Sequence, residues 1–536
     1  MEERYFPLDI ISVKQYGIAR WQREFFWPVA DKEFVALCEE LEECVRRHIE
    51  DRPRVAGDAL LVKRNLVSEY WHVLHAVKVL EEIRQRGREP LYCEAAFWYK
   101  DILEHTLQDK VDGVSGKRTR LYNAPENTLK YWVSWLKRRA RELLFNRAPR
   151  KLWNRLCGKL SYLYGAPEEF ITGYCARLPQ WVAFTSGGDW LPRSLPPLAK
   201  ETEAVLRGAA AQLIEEIRVI SRQHAIPLMD EHRRYLQKFT EGQFFEAAQV
   251  LQAMRRRMSS RPVHLLVSTV HDQIQRALAL EVRRAGGKVT AFTHGGHIGY
   301  LNSPTIPFNE FALADEFVAY TKASADIFEE LQRRRPALRG NKVEIVSGEG
   351  LLYAQFHTAH AQAAPPSRVA KVMLVGFPLA PWRKPQGSAL FWPIQLDLEL
   401  RLARLLKGAG YTVLYKAHPD RLREIENVFD GMAKVIKAPF EQVVEMADAF
   451  VFPVIRTTAF NFGLCTSKPV VGLLMGDEYP PPLPAPMALL KKRCHLVYTR
   501  FDERNRVIFP AREVLEALAK KPVAPNPEFV EKYLFP

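Results

Sequence analysis

The chain has no CxxC pair. Its seven cysteines, at 38, 44, 93, 157, 175, 465 and 494, are scattered through 536 residues. That pattern fits reduced thiols and offers neither a disulfide framework nor zinc-ligand spacing. No uninterrupted apolar run is long enough to span a bilayer. The opening residues, MEERYFPLDIISVKQ, lack the basic-then-apolar layout of a signal peptide. A cytoplasmic protein is expected, dissolved or peripherally attached at the inner face of the membrane. There is no GxxxxGK(S/T), no GxGxxG after the first strand, no HExxH and no GxSxG, which argues against an NTPase, a classical dehydrogenase, a zincin and an α/β-hydrolase. Internal repeats and low-complexity tracts are also missing.

Acidic residues are in deficit. Lys and Arg total 77 against 62 Asp and Glu, a net charge of +15. The excess favours an anionic partner: a nucleotide, a polyanionic glycan, an acidic membrane surface or nucleic acid. The length exceeds a single core, so two or three domains are expected. A hydrophobic content of 47% with 26% charged residues is the balance of a globular protein.

Residues 1–57 read as an extension with one helix, 31–50. A first α/β domain is expected over 58–356. It opens with a buried strand at Ala59–Val62, an amphipathic helix from Leu66 to Gln85 and a second strand from Pro90. Residues 96 to about 180 read as a helical insert dense in Lys, Arg and Trp between Lys130 and Lys159. Such a segment can pack its Trp face inward and solvate its Arg face. It can also lie on an anionic bilayer or an acceptor glycan, or meet nucleic acid. From Pro262 the strand–helix rhythm returns, with strands at 264–268 and 289–293 and a further strand–helix–strand through NKVEIVSGEG. The Ala/Pro-rich stretch 357–368 is the expected linker. Residues 369–536 form a second α/β domain, with strands in KVMLVGFP, TVLYK, AFVFPV and PVVGLL. Alternating elements with long crossovers imply two doubly wound, Rossmann-like domains in tandem, with a cleft between them.

The chemistry-bearing residues fall at strand ends, where such sheets bind ligands. In the second domain, Lys416 and His418-Pro419 end one strand, and Thr457-Thr458 open the helix after another. A cation, an imidazole and hydroxyls there suit a phosphate, although threonines at a helix start also serve as caps. Gly376, the turn after KVMLV, is counted with these nucleotide-binding residues. In the first domain, strand 289–293 delivers His294-Gly295-Gly296-His297, whose glycines allow close backbone approach to a donor or acceptor. Asp272, at the neighbouring strand-to-helix junction, is a candidate nucleophile or general base, or else a carboxylate complementing a helix dipole. Asp189, Asp230, Glu231 and Glu349 are the alternative acids.

The HGGxxG-type element, the KxHPD strand end and the following Thr pair, set in two tandem Rossmann-like domains, resemble the GT-B glycosyltransferases. More narrowly, they resemble transferases of bacterial surface polysaccharides that use cytidine-nucleotide donors: sialyltransferases, capsule and O-antigen Kdo transferases, and the glycerophosphotransferases of teichoic acid synthesis. The resemblance covers about 58–520 and implies that His418, Pro419, Thr457 and Thr458 hold a CMP moiety. The HGG element with an aspartate on the preceding helix start most resembles proteins related to retaining β-Kdo transferases. In that group an aspartate attacks the sugar, which implies the role for Asp272, with His294 beside it. The (Asp/Glu)-(Asp/Glu)-Gly element of sialyltransferases is absent; Ser347-Gly348-Glu349-Gly350 only echoes it. The expected partners are a CMP-activated sugar and a glycan or lipid-linked acceptor, with no metal or other cofactor. A CDP-glycerol or CDP-ribitol phosphotransferase keeps the same fold, and a basic scaffold is the non-enzymatic alternative. Nucleic acid is not the expected partner.

Overall fold

The structure, a computed structural model, describes residues 4–109, 129–165, 169–192, 194–258, 263–268, 270, 272–303, 305–361, 364–379, 390–419, 422–475, 482–521 and 523–535. Over 129–135 and at His297 only the backbone is described. Two parallel sheets, each layered between helices, follow one another along the chain, a GT-B-like architecture. The first has six strands: β3 (Leu160–Tyr164), β4 (Trp181–Thr185), β5 (His264–Val267), β6 (Lys288–Phe292), β7 (Glu316–Ala319) and β8 (Glu344–Ser347). Their spatial order is β4-β3-β5-β6-β7-β8, all parallel. The second comprises β9 (Lys371–Val375), β10 (Thr412–Lys416), β11 (Lys434–Ile436), β12 (Ala449–Phe452), β13 (Val470–Met475), β14 (His495–Phe501) and β15 (Val507–Ile508). Its order is β11-β10-β9-β12-β13-β14-β15, and only β15 runs antiparallel. The central strand β12 is buried on both faces, hence its unbroken apolar sequence AFVF.

The chain opens differently from its sequence pattern. Ala59–Val62 is not a strand but the end of the helix Arg54–Val62, packed among the helices Asp31–Asp51 and Asp230–Arg257. A four-residue apolar run cannot distinguish a buried strand from a buried helix. The strand from Pro90 exists as β2 (Glu89–Leu91), but it pairs with β1 (Tyr5–Pro7) in a separate two-stranded sheet. The first domain's sheet therefore begins at Leu160, inside the stretch expected as an insert. What divides the sheet is the antiparallel pair Lys200–Gln223 and Asp230–Arg257, between β4 and β5. The expected linker starts late, because the helix Leu352–His360 takes up its first four residues.

The two ends of the chain lock the halves together. Near the N-terminus, Trp27 donates its N–H to the Arg504 carbonyl (3.0 Å) and accepts from Asn505 (2.8 Å). Gln22 reaches the buried Asp397 carboxylate (3.2 Å), which Arg401 (2.8 Å) and Arg506 (2.6 Å) neutralise. At the other end, the helix Glu528–Tyr533 leaves the second domain and packs on the first, with Phe529 edge-on to Tyr300 at 5.2 Å. Among the described residues no helix is long and apolar enough to cross a membrane.

Candidate functional site

On the first sheet, the C-terminal ends of β3, β4 and β5 gather one acidic rim. Asp272 is the N-cap of the helix Gln273–Arg284, and its Oδ1 accepts from the N–H groups of Ile274 (2.8 Å) and Gln275 (2.9 Å). The dipole-complementing role is thus real, and it fixes the carboxylate at the strand ends. Tyr164, the last residue of β3, stands close to both Asp272 and Asp189. Burial first, and then these two carboxylates, push its phenol well above the usual range, so it keeps its proton. Asp189 is held by several donors. It receives the Ser186 N–H (2.8 Å), the Thr185 hydroxyl (3.2 Å) and the Arg138 guanidinium (2.9 Å).

The other acids lie elsewhere. Asp230 and Glu231 start a 28-residue helix, roughly 42 Å long by its rise. The far end of that helix brings Arg257 to the Asp189 carbonyl (3.0 Å), so Asp230 and Glu231 are remote from the rim. Glu349 follows β8 at the opposite side of the sheet from β3 and β4, exposed and paired with Arg177. His271 lies outside the described residues.

On the second sheet the rim is formed after β9, β10 and β12. His418 is half-buried and Pro419 exposed just beyond β10. Lys416 departs from its expected place as a displayed cation. It is only 6% exposed, its Nζ donates to the Ala417 carbonyl (2.5 Å), and burial lowers its pKa. Thr457 caps the helix Thr458–Leu464, its hydroxyl accepting from Phe460 N–H at 3.0 Å. Gly376 is needed for packing, since a Cβ there would collide with the Tyr415 hydroxyl. That hydroxyl donates to the buried Glu399 (2.7 Å), which also accepts from Phe377 N–H (2.9 Å) and Gln395 (2.5 Å).

Burial pushes the Glu399 carboxyl up to about 7, against the pull of those donors. A folded-state pKa above the unfolded one gives stability that is complete below the unfolded value and lost as pH rises through the folded value. Wild type should lose ~3 kcal/mol between roughly pH 4.5 and pH 8 from this group. Glu399→Gln copies the neutral acid, so it should match wild type at the acid end and exceed it at the alkaline end in urea denaturation. Equal pH profiles would show that Glu399 is ionised throughout.

The two rims meet at a seam built by the motifs themselves. Gly295 turns the chain with a φ of +71°, and Gly296 N–H donates to the Tyr353 hydroxyl at 3.2 Å. A Cβ on Gly296 would lie 2.8 Å from the Tyr353 ring and 3.0 Å from the amide of Asn461, which sits in the helix that Thr457 caps. Tyr300, at the end of the HGGHIGY element, donates to Asn461 Oδ1 (2.8 Å), and Asn461 Nδ2 reaches the Tyr353 hydroxyl (3.4 Å). Tyr300, Tyr353 and Asn461 are all fully buried. His294, immediately before this seam, is exposed. The His297 side chain lies outside the described residues. Sequence reasoning missed Asn461 and both tyrosines. The readable signal was an amide within the apolar helix TAFNFGL, where a buried polar group needs partners.

Two other features attract attention and do not join this site. A cavity of about 290 Å³ lies among Phe34, Leu37, His75 and Ile226 and holds none of the motif residues. Cys44, His48 and Glu216 converge, but Arg52 donates to His48 Nδ1 (3.3 Å) and to Glu216 (3.2 Å), and Arg47 also pairs with Glu216 (3.4 Å). Two guanidiniums there oppose a metal ion and make the cluster a tie between helices.

No protein-family model and no curated protein sequence matches the chain. Among solved structures, the UDP-N-acetylglucosamine 2-epimerase from Rickettsia bellii is similar at 10% identity and a TM-score of 0.34, over 69% of this chain and 92% of that one. Phytolacca americana UGT2, complexed with UDP-2fluoro-glucose and pterostilbene, is similar at 12% identity and a TM-score of 0.29, over 70% and 86%. Similarity at this level carries no chemistry across, and the architecture stands on the strand order.

Proposed function

We propose that the protein is a glycosyltransferase that moves Kdo or a related acidic sugar from a CMP-linked donor to a glycan or lipid-linked acceptor. The observation that carries this reading is the seam. The HGG turn packs on the helix opened by Thr457-Thr458, so the motif-bearing rims of two parallel sheets border one cleft, the usual ligand position for such folds. The choice of a cytidine donor comes from the resemblance of Lys416-Ala417-His418-Pro419 and the Thr pair to CMP-using transferases.

In this scheme His418 and the two threonine hydroxyls hold the CMP phosphate. Lys416 contributes its charge to the local field, since its Nζ is held by a backbone carbonyl. The Asp272 carboxylate attacks the anomeric carbon, the bond to phosphate oxygen breaks, and CMP leaves with the electron pair. The acceptor hydroxyl then attacks the same carbon, displaces Asp272 and yields its proton to His294. Tyr164, kept protonated, stands near both carboxylates. The scheme requires no metal. The test is turnover of CMP-Kdo with release of CMP: transfer or donor hydrolysis is expected, and neither turnover nor CMP binding would sink the reading.

A further inference from the structure

The basic segment carries its residues inside out. In the helix Leu129–Phe145 and the residue after it, Phe145 packs inward against Phe184 at 5.8 Å, and beside it two inward residues are polar. Glu142 accepts from the Trp181 indole (2.9 Å) and from Phe184 N–H (3.3 Å), while Asn146 bonds both the N–H (2.9 Å) and the carbonyl (2.8 Å) of Val182. Those bonds satisfy the free edge of β4, which ends the sheet. In the next helix, Pro149–Leu156, Lys151 is buried and donates to the Cys175 carbonyl at 3.0 Å.

Large apolar side chains stand on the outside among cations. Leu136, Leu143 and Leu144 are each more than half exposed, Trp153 is 67% exposed and Leu156 81%. The spacing 136, 143, 144 is that of a single helix face. With Leu152, these make six of the thirteen large apolar side chains exposed among the described residues, all within 136–156. Exposed cations surround them: Lys137, Arg141, Arg147, Arg150, Arg155 and Lys159. The only carboxylate from 136 to 159 is the buried Glu142.

We infer that this helix pair docks on a bilayer surface containing anionic lipid, with Trp153 and the leucines at headgroup depth and the cations on lipid phosphates. Nucleic acid would use the cations but not the leucines. A second copy of this helix pair would set cation against cation, since its one carboxylate is buried. The inference does not depend on the donor chemistry. One consequence does rest on the transferase reading: Arg138, on the flank of the same helix, pairs with Asp189 on the acidic rim, so docking sets the cleft beside the membrane, where a lipid-linked acceptor ends.

The test is flotation of the full chain with phosphatidylcholine vesicles and with vesicles in which phosphatidylglycerol replaces part of that lipid. Binding to the anionic vesicles alone is expected, weakened by salt. A Leu143→Ser, Trp153→Ser, Leu156→Ser variant should bind about tenfold less or weaker still, with an unchanged melting temperature because all three side chains are exposed. An Arg141→Gln, Arg147→Gln, Arg150→Gln variant should lose affinity similarly. The inference is overturned if the apolar variant binds like wild type, or if no vesicle is bound. It is also overturned if wild type is instead a dimer that the apolar variant turns into monomers.

Discussion

Asp272→Asn should lower turnover by on the order of 10³-fold while leaving the melting temperature unchanged. Asparagine caps a helix about as well as aspartate, and its carbonyl can accept the same N–H groups of Ile274 and Gln275 that Asp272 accepts now. The substitution removes the charge, and with it the proposed nucleophile, but keeps the cap, so a loss of kcat cannot be ascribed to helix fraying. Asp189→Asn is the matched control. It should relax the bond network with Arg138, Thr185 and Ser186 and cost stability more than chemistry. If Asp189→Asn abolishes turnover and Asp272→Asn does not, the nucleophile is Asp189 and the rim has been assigned the wrong way round.

Asn461→Ala should be the most damaging small substitution at the seam. It strands the fully buried Tyr300 hydroxyl, leaves the Tyr353 hydroxyl with Gly296 N–H alone, and opens a void beside Gly296. Leaving one buried hydroxyl unpaired beside a void costs ~2 kcal/mol, to be read as a lowered midpoint in chemical denaturation. Turnover should fall as well, because the same amide holds the HGG turn against the Thr457 helix. Asn461→Asp retains an acceptor for Tyr300 but buries a carboxyl, so its cost should grow as pH rises. An alanine variant as stable and as active as wild type would mean that the seam does not hold the two rims in register.

The second domain was largely legible because its central strands β9 and β12 are mostly buried and run straight into Gly376 or Pro453. TVLYK and AFVF stand out as apolar runs with clear stops, and the structure places them as β10 and β12. The N-terminal region misled because its buried elements are helices, and in a short run such as Ala59–Val62 both periods fit. The strand Leu160–Tyr164 was hidden by the basic residues before it, which gave the whole stretch the look of an insert. Of the site, the strand-end positions of Asp272, His294 and His418 could be read from order alone. Whether a side chain at such an end points outward could not, as Lys416 demonstrates by turning inward to the Ala417 carbonyl. The seam was unreadable for another reason: Tyr300, Tyr353 and Asn461 are far apart in the chain, and only the folded arrangement pairs them.

The most direct measurement is the affinity of wild type and of His418→Ala for CMP, CDP, UMP, UDP, GDP and ADP, by titration calorimetry or by the rise in melting temperature that ligand binding produces. Selective binding of CMP, lost in His418→Ala and retained in His294→Ala, is the expected result, since the proposed scheme puts His294 at the sugar and His418 at the phosphate. Preference for UDP or GDP would keep the cleft and discard the cytidine donor, whereas CMP binding indifferent to His418 would contradict the site itself.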